Sequence, residues 1–140
     1  MDKKGLSTFL VCKIGVAFAV ISLMGAALVT SLSAKRTAEQ EDLEIVADAV
    51  LSSIQIADST PSEIELERKL PTIGQQFEVK IIGERQGSWQ AVHVLITAQT
   101  QVERTIFLTN QVNGGEFELS RSNPTLLRLR KLNGILLELV

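Results

Sequence analysis

An uncharged apolar stretch near the N-terminus constrains this chain more than any other feature. Ile14 to Ala34 is a run of 21 residues without a charged side chain. It is preceded by an apolar segment that starts at Leu6 and is interrupted at Lys13, and it is followed by Lys35 and Arg36. An α-helix needs about 20 apolar residues to cross the hydrocarbon core of a bilayer. The sequence therefore predicts a charged head at residues 1–5 and a transmembrane helix at residues 6–36, with the lipid bilayer as its partner.

Two general classes of N-terminal segment compete for this stretch. A cleaved secretory signal has an apolar core of roughly 7–15 residues and a small-residue cleavage site, which Ser31, Ser33 and Ala34 resemble. The greater length of the run favours a retained anchor. The bases at or before the start of the uncharged run outnumber the two that follow it, which are Lys35 and Arg36. The positive-inside rule then predicts a single-pass protein of the cell membrane with a cytoplasmic N-terminus and an extracytoplasmic C-terminal domain.

The head itself carries a more specific pattern. Lys3, Lys4 and Gly5, followed by Leu6 and the apolar run, resemble the class III signal peptide of archaeal type IV pilin-like proteins. The resemblance implies that a prepilin peptidase cuts between Gly5 and Leu6, and that the remaining helix anchors the protein and packs with other pilin-like subunits. Many pilins carry Glu at the fifth mature position, where this chain has Leu10. That departure favours a minor pilin or a pseudopilin-like member.

Small side chains recur along the predicted span. Small residues let helix backbones approach closely within a bilayer, where apolar burial alone does not drive association. We therefore expect helix-packing positions at Gly15, Ala19, Ser22, Gly25 and Ala26.

An amphipathic stem helix is predicted to follow the span over residues 37–60. Leu43, Val46, Val50 and Ile54 recur at spacings of three and four residues, which is the periodicity of one helix face. The helix should end before Pro61, because proline cannot continue the backbone hydrogen-bond ladder. The apolar stripe is expected to pack on the chain's own sheet; a coiled-coil partner is the alternative.

Residues 61–140 have the pattern of a β domain. Apolar and polar side chains alternate in short segments, as in Phe77 to Ile81, which is typical of half-buried strands. Residues 83–87 are interpreted as a loop, and 113–115 and 133–134 as hairpin turns, because Asn and Gly accept positive φ. The predicted fold class is α+β, with the long N-terminal helix packed on an antiparallel β-meander.

No set of residues has the pattern of an active site. His93 is the only histidine and Cys12 the only cysteine, so no Cys/His metal site and no disulfide framework are expected. We predict no catalytic, cofactor-binding or metal-binding residues, no cofactor and no small-molecule substrate. The net charge of −2 creates no global field for nucleic acid, which is not expected as a partner.

The sequence thus favours a non-enzymatic, membrane-anchored envelope protein that resembles a minor type IV pilin or pseudopilin and acts in surface filament assembly or adhesion. The alternative is an uncleaved single-pass protein whose extracytoplasmic β domain binds a partner.

Overall fold

The computed structural model describes the backbone of residues 3–140 and the side chains of residues 11–140. One long helix precedes seven strands, and the predicted α+β class is confirmed. The elements are α1 Lys3–Ser59, β1 Ile64–Lys69, β2 Glu78–Gln86, β3 Trp89–Thr97, β4 Gln101–Leu108, β5 Phe117–Ser122, β6 Leu126–Lys131 and β7 Ile135–Leu139. The chain divides into two compact units, the first ending at Ala38 and the second covering Glu39–Val140.

The first unit is the apolar part of α1. Every side chain from Val11 to Ala38 is exposed, including Phe18 at 68% and Leu23 at 71%. Thr30, Ser33 and Thr37 donate their hydroxyl groups to carbonyls three or four residues earlier, at 2.9–3.0 Å. These polar groups are therefore satisfied within the helix, as an apolar surrounding requires. This helix is long and apolar enough to cross a membrane.

The stem part of α1 forms the centre of the second unit. Leu43, Val46, Val50 and Ile54 are fully buried, as the three- and four-residue spacing predicts. The helix ends at Ser59, where the Thr60 amide and hydroxyl groups both donate to the Ile56 carbonyl, at 3.1 and 2.6 Å. Pro61 follows directly and prevents a further turn.

The strands form two antiparallel sheets rather than one continuous meander. The four-stranded sheet has the order β4-β3-β2-β5, and the three-stranded sheet has the order β1-β6-β7. Only β2, β3 and β4 follow one another as a meander; β5 crosses over to pair with β2, and β1 pairs with β6.

Side-chain hydrogen bonds to the segment between β4 and β5 explain why β5 does not form a hairpin with β4. The buried Gln90 side chain donates to the carbonyls of Val112 and Gly115 at 3.1 and 2.6 Å, and its oxygen accepts from the Val112 amide at 2.6 Å. Asn113, with φ 45°, then pairs its side chain with the Leu137 amide and carbonyl at 2.9 and 3.2 Å. Residues 113–115 are therefore a bridge between the sheets, and the prediction of a hairpin there is wrong. The turn predicted at 133–134 does join β6 to β7.

The inner faces of both sheets pack on the stem. Arg104 on β4 lies 3.8 Å from the carboxylates of Glu44 and Asp48, and Arg68 on β1 donates to the Ser52 hydroxyl at 3.1 Å. The buried core comprises the stem stripe with, among others, Val79, Ile81, Val92, Val94, Ile96, Leu127, Leu129 and Ile135. Glu44 and Asp48 of the stem are thus paired with Arg104 of the four-stranded sheet.

The predicted loop at residues 83–87 is mostly strand. β2 continues to Gln86, and only Gly87, with φ 66°, and Ser88 form the turn to β3. Gly83 lies on the inner face, where an added Cβ would come within 2.3 Å of the Phe117 ring and 2.5 Å of the Gln90 amide nitrogen. This glycine serves close packing rather than a turn.

Candidate functional site

The residues of the predicted processing site lie at the edge of what the structure describes. The side chains of Lys3, Lys4, Gly5 and Leu6 are outside the described residues. Cleavage between Gly5 and Leu6 therefore stays a prediction.

The predicted helix-packing residues lie mainly on one face of α1. At about 100° per residue, Gly15, Ala19, Ser22 and Ala26 fall within about 60° of one another, whereas Gly25 lies about 80° from Gly15. All five are exposed. A Cβ added at Gly15 or Gly25 would meet no atom within 4 Å, so this face has room for close approach by another helix. Packing with another helix stays a prediction.

His93 lies on the outer face of the four-stranded sheet and contacts residues of both neighbouring strands. Its Nδ1 is 2.9 Å from the Thr105 hydroxyl on β4. Its Nε2 lies 3.8 Å from Glu84 on β2, and its Nδ1 lies 4.0 Å from Glu103 on β4. Within the part of the chain that the structure describes, no group of three or more His, Cys, Asp or Glu residues is placed to hold a metal ion.

Asp58 joins the C-terminal end of α1 to the segment after β4, a role that the sequence analysis did not predict. Its carboxylate accepts hydrogen bonds from the amides of Thr109 and Asn110, at 3.3 and 2.9 Å, and from the Asn110 side chain at 2.8 Å. Partial burial, the largest single influence, acts to raise the pKa of Asp58, but the hydrogen bonds from Asn110 and Thr109 together outweigh it and lower the pKa below 3.8. Lys131 donates to the carbonyls of Asp58 and Thr60, which lack helical partners at this end of α1.

Arg128 on β6 contacts acidic residues on both neighbouring strands of the three-stranded sheet. Arg128 donates to Glu67 on β1 at 2.6 Å and lies 3.8 Å from Glu138 on β7. The hydrogen bond to Glu67 and its charge raise the pKa of Arg128 above its usual value. These pairs account for Arg128 as a cross-strand link within the sheet.

Two exposed aromatic side chains share the outer face of the four-stranded sheet. Trp89 and Phe107 meet edge to face, with ring centroids 4.9 Å apart and planes at 82°. Trp89 is 40% exposed and Phe107 64% exposed. The exposure of Phe107 could have been predicted from the apolar run Ile106–Phe107–Leu108. Side chains alternate between the two faces of a strand, so if Ile106 and Leu108 are buried, Phe107 must lie on the outer face.

Two clefts of the β domain lie beside β1. A cleft of about 450 Å³ lies between the β1–β2 and β5–β6 connections, lined mainly by Leu70, Pro71, Ile73, Phe77 and Pro124. A second cleft, of about 390 Å³, lies between the stem and β1 and includes Ile45, Ser52 and Arg68.

Comparison with known proteins gives no family assignment, since no protein-family model, curated protein or solved structure matches this chain.

Proposed function

We propose that this protein is a non-enzymatic, membrane-anchored envelope protein with the plan of a type IV pilin-like subunit, acting as a minor pilin or pseudopilin in surface filament assembly or adhesion. The observation that carries the proposal is the exposure of every side chain from Val11 to Ala38 on a helix that is long and apolar enough to cross a membrane.

The organisation of α1 supports this proposal. One helix supplies both the exposed apolar segment and the buried stripe on which two sheets pack. This organisation, a long helix followed by a β domain, resembles the general plan of type IV pilin-like proteins. The small residues on one face of the apolar segment provide the surface through which subunits would associate within the bilayer.

A cysteine cross-linking experiment tests the association. In a Cys12→Ser background, Ser22→Cys places a thiol on the small-residue face, whereas Met24→Cys places one about 160° away from it. Membranes that contain the Ser22→Cys chain should yield cross-linked dimers on oxidation, and those with Met24→Cys should not. Equal cross-linking of both variants, or of neither, would contradict association through this face.

The second candidate function is that of an uncleaved single-pass protein whose extracytoplasmic β domain binds a partner. The exposed Trp89–Phe107 pair favours it, because exposed aromatic side chains are enriched where proteins bind partners. In that case neither helix cross-linking nor cleavage at Gly5 is expected.

A further inference from the structure

The outer face of the four-stranded sheet combines aromatic surface with negative charge. Ala91 lies opposite Glu84 on one side and opposite Phe107 on the other, and Trp89 is its neighbour on the same face of β3. Ala91 is only 1% exposed, because larger neighbours cover its methyl group. A ligand above Ala91 therefore meets the neighbouring aromatic rings and the Glu84 carboxylate.

The charges of this face are unbalanced. Its outward positions on β2 to β5 carry four carboxylates, one lysine and the single histidine: Glu78, Glu84, Glu103, Glu118, Lys80 and His93. Lys80 is committed to Glu118, at 2.6 Å, and that hydrogen bond and the Glu118 charge raise the pKa of Lys80. Glu78 accepts a hydrogen bond from Ser120.

The carboxylates of Glu84 and Glu103 have only His93 as a nearby cationic partner among the described residues. Among the described residues, the one cationic group within 4.0 Å of either carboxylate is His93, which is charged only when it is protonated. The carboxylates beside the aromatic pair thus keep negative charge that the chain does not neutralise when His93 is neutral.

We propose that the face formed by Glu84, Trp89, Glu103 and Phe107 is a docking surface for an arginine-bearing segment of a partner protein. The excess of negative charge and the aromatic surface on the same face both favour an arginine side chain. The proposal does not rest on filament assembly and applies equally to a cleaved or an uncleaved chain.

The geometry fits a guanidinium group. Glu84 and Phe107 flank Ala91 on the two neighbouring strands, so their backbones are two strand spacings apart, roughly 10 Å. One arginine side chain lying on this face can span that separation. A guanidinium group stacks on aromatic rings and also forms two parallel hydrogen bonds with a carboxylate, and it is less strongly hydrated than an ammonium group. Arginine is therefore the side chain that uses the rings and the carboxylate together.

The experiment uses the full chain in nanodiscs of zwitterionic phosphatidylcholine. Trp89 is the only tryptophan, so its fluorescence reports directly on this face. The probe is a capped Gly-Arg-Gly-Arg-Gly peptide, and its citrulline counterpart has nearly the same shape without charge. The arginine peptide should shift the Trp89 emission saturably and more weakly as salt is added, and the citrulline peptide should not.

Three variants locate the effect on this face. Glu84→Gln should weaken binding about three- to five-fold, the change expected from one exposed charge pair. Glu65→Gln makes the same charge change at an exposed position of the other sheet and should leave binding unchanged. Phe107→Ala should weaken binding while the salt dependence remains.

Several results would overturn the proposal. They are an unchanged Trp89 emission, an equal response to the citrulline peptide, or equal weakening by Glu65→Gln and Glu84→Gln. A response to a neutral oligosaccharide without a response to the arginine peptide would assign the face to carbohydrate instead and would also overturn it.

Discussion

Gly83 illustrates, at the scale of single residues, how close packing can dictate a residue type. The space that its Cβ would fill is occupied by the Phe117 ring and the Gln90 amide. Gln90 in turn holds the segment between β4 and β5 through three hydrogen bonds. A change at Gly83 therefore disturbs the contact between β2 and β5 and the path of the chain between the two sheets.

Gly83→Ala should lower the free energy of unfolding by about 1–3 kcal/mol, the usual cost of overpacking a well-packed site. Denaturant unfolding of the full chain in detergent micelles, followed by Trp89 fluorescence, measures this. Gly74→Ala is the matched control, because an added Cβ there meets no atom within 4 Å. Equal unfolding midpoints for the two variants would show that Gly83 has room for a methyl group.

Asp58 gives a prediction about pH. Its pKa in the folded state lies below 3.8, so the charged carboxylate stabilises the fold above that pH, and the stabilisation is lost as pH falls through the folded value. Asp58→Asn should be less stable than the wild type at neutral pH, because its amide group cannot accept from all the donors of Thr109 and Asn110. The stability difference should shrink as the pH falls below about 3.8. A difference that stays constant down to about pH 2 would rule out the charge as its source.

At the scale of elements, the stem of α1 holds the two sheets together. Its buried stripe faces both sheets, while Ile45 and Ile56 remain 55% and 45% exposed. The stability of the β domain should therefore depend on which face of the stem is changed.

Ile54→Ala should lower the free energy of unfolding by about 2–5 kcal/mol, because it leaves a cavity at a fully buried position. Ile45→Ala makes the same chemical change on the exposed face and should cost about 0.5 kcal/mol or less. Thermal and denaturant melts of the two variants in the same detergent provide the comparison. Similar losses at both positions would contradict the packing of the stem on the sheets.

Sequence patterns predicted where the helix and the β domain lie, but they did not predict all of the pairs that the strands form with one another. Spacing in the stem and alternation in the strands are local, so the buried stripe of the stem and the β character of residues 61–140 could be predicted from the sequence. The pairing of β5 with β2 depends on contacts between distant residues, such as Gln90 with Gly115 and Asn113 with Leu137. For the same reason, the aromatic face that joins Trp89 to Phe107 was not visible, since the two residues are brought together only by the register of β3 and β4.

At the scale of the whole molecule, we propose that the N-terminal helix holds the β domain at a membrane. We expect the β domain to lie outside the cytoplasm. Ser88 is exposed in the turn between β2 and β3, so in a Cys12→Ser background Ser88→Cys should react with a membrane-impermeant thiol reagent on intact cells. Labelling that requires lysis would reverse the proposed orientation.

The most direct test of the central claim is the intact mass of the chain purified from membranes of a host with an active prepilin peptidase. We expect a chain that begins at Leu6 and keeps the whole apolar helix, and we expect Gly5→Val to block this cleavage while leaving the protein in the membrane. Glycine lets the backbone approach the peptidase closely, which a β-branched side chain prevents. A chain that still begins at Met1, or one that begins near Lys35 after loss of the span, would contradict the pilin-like account.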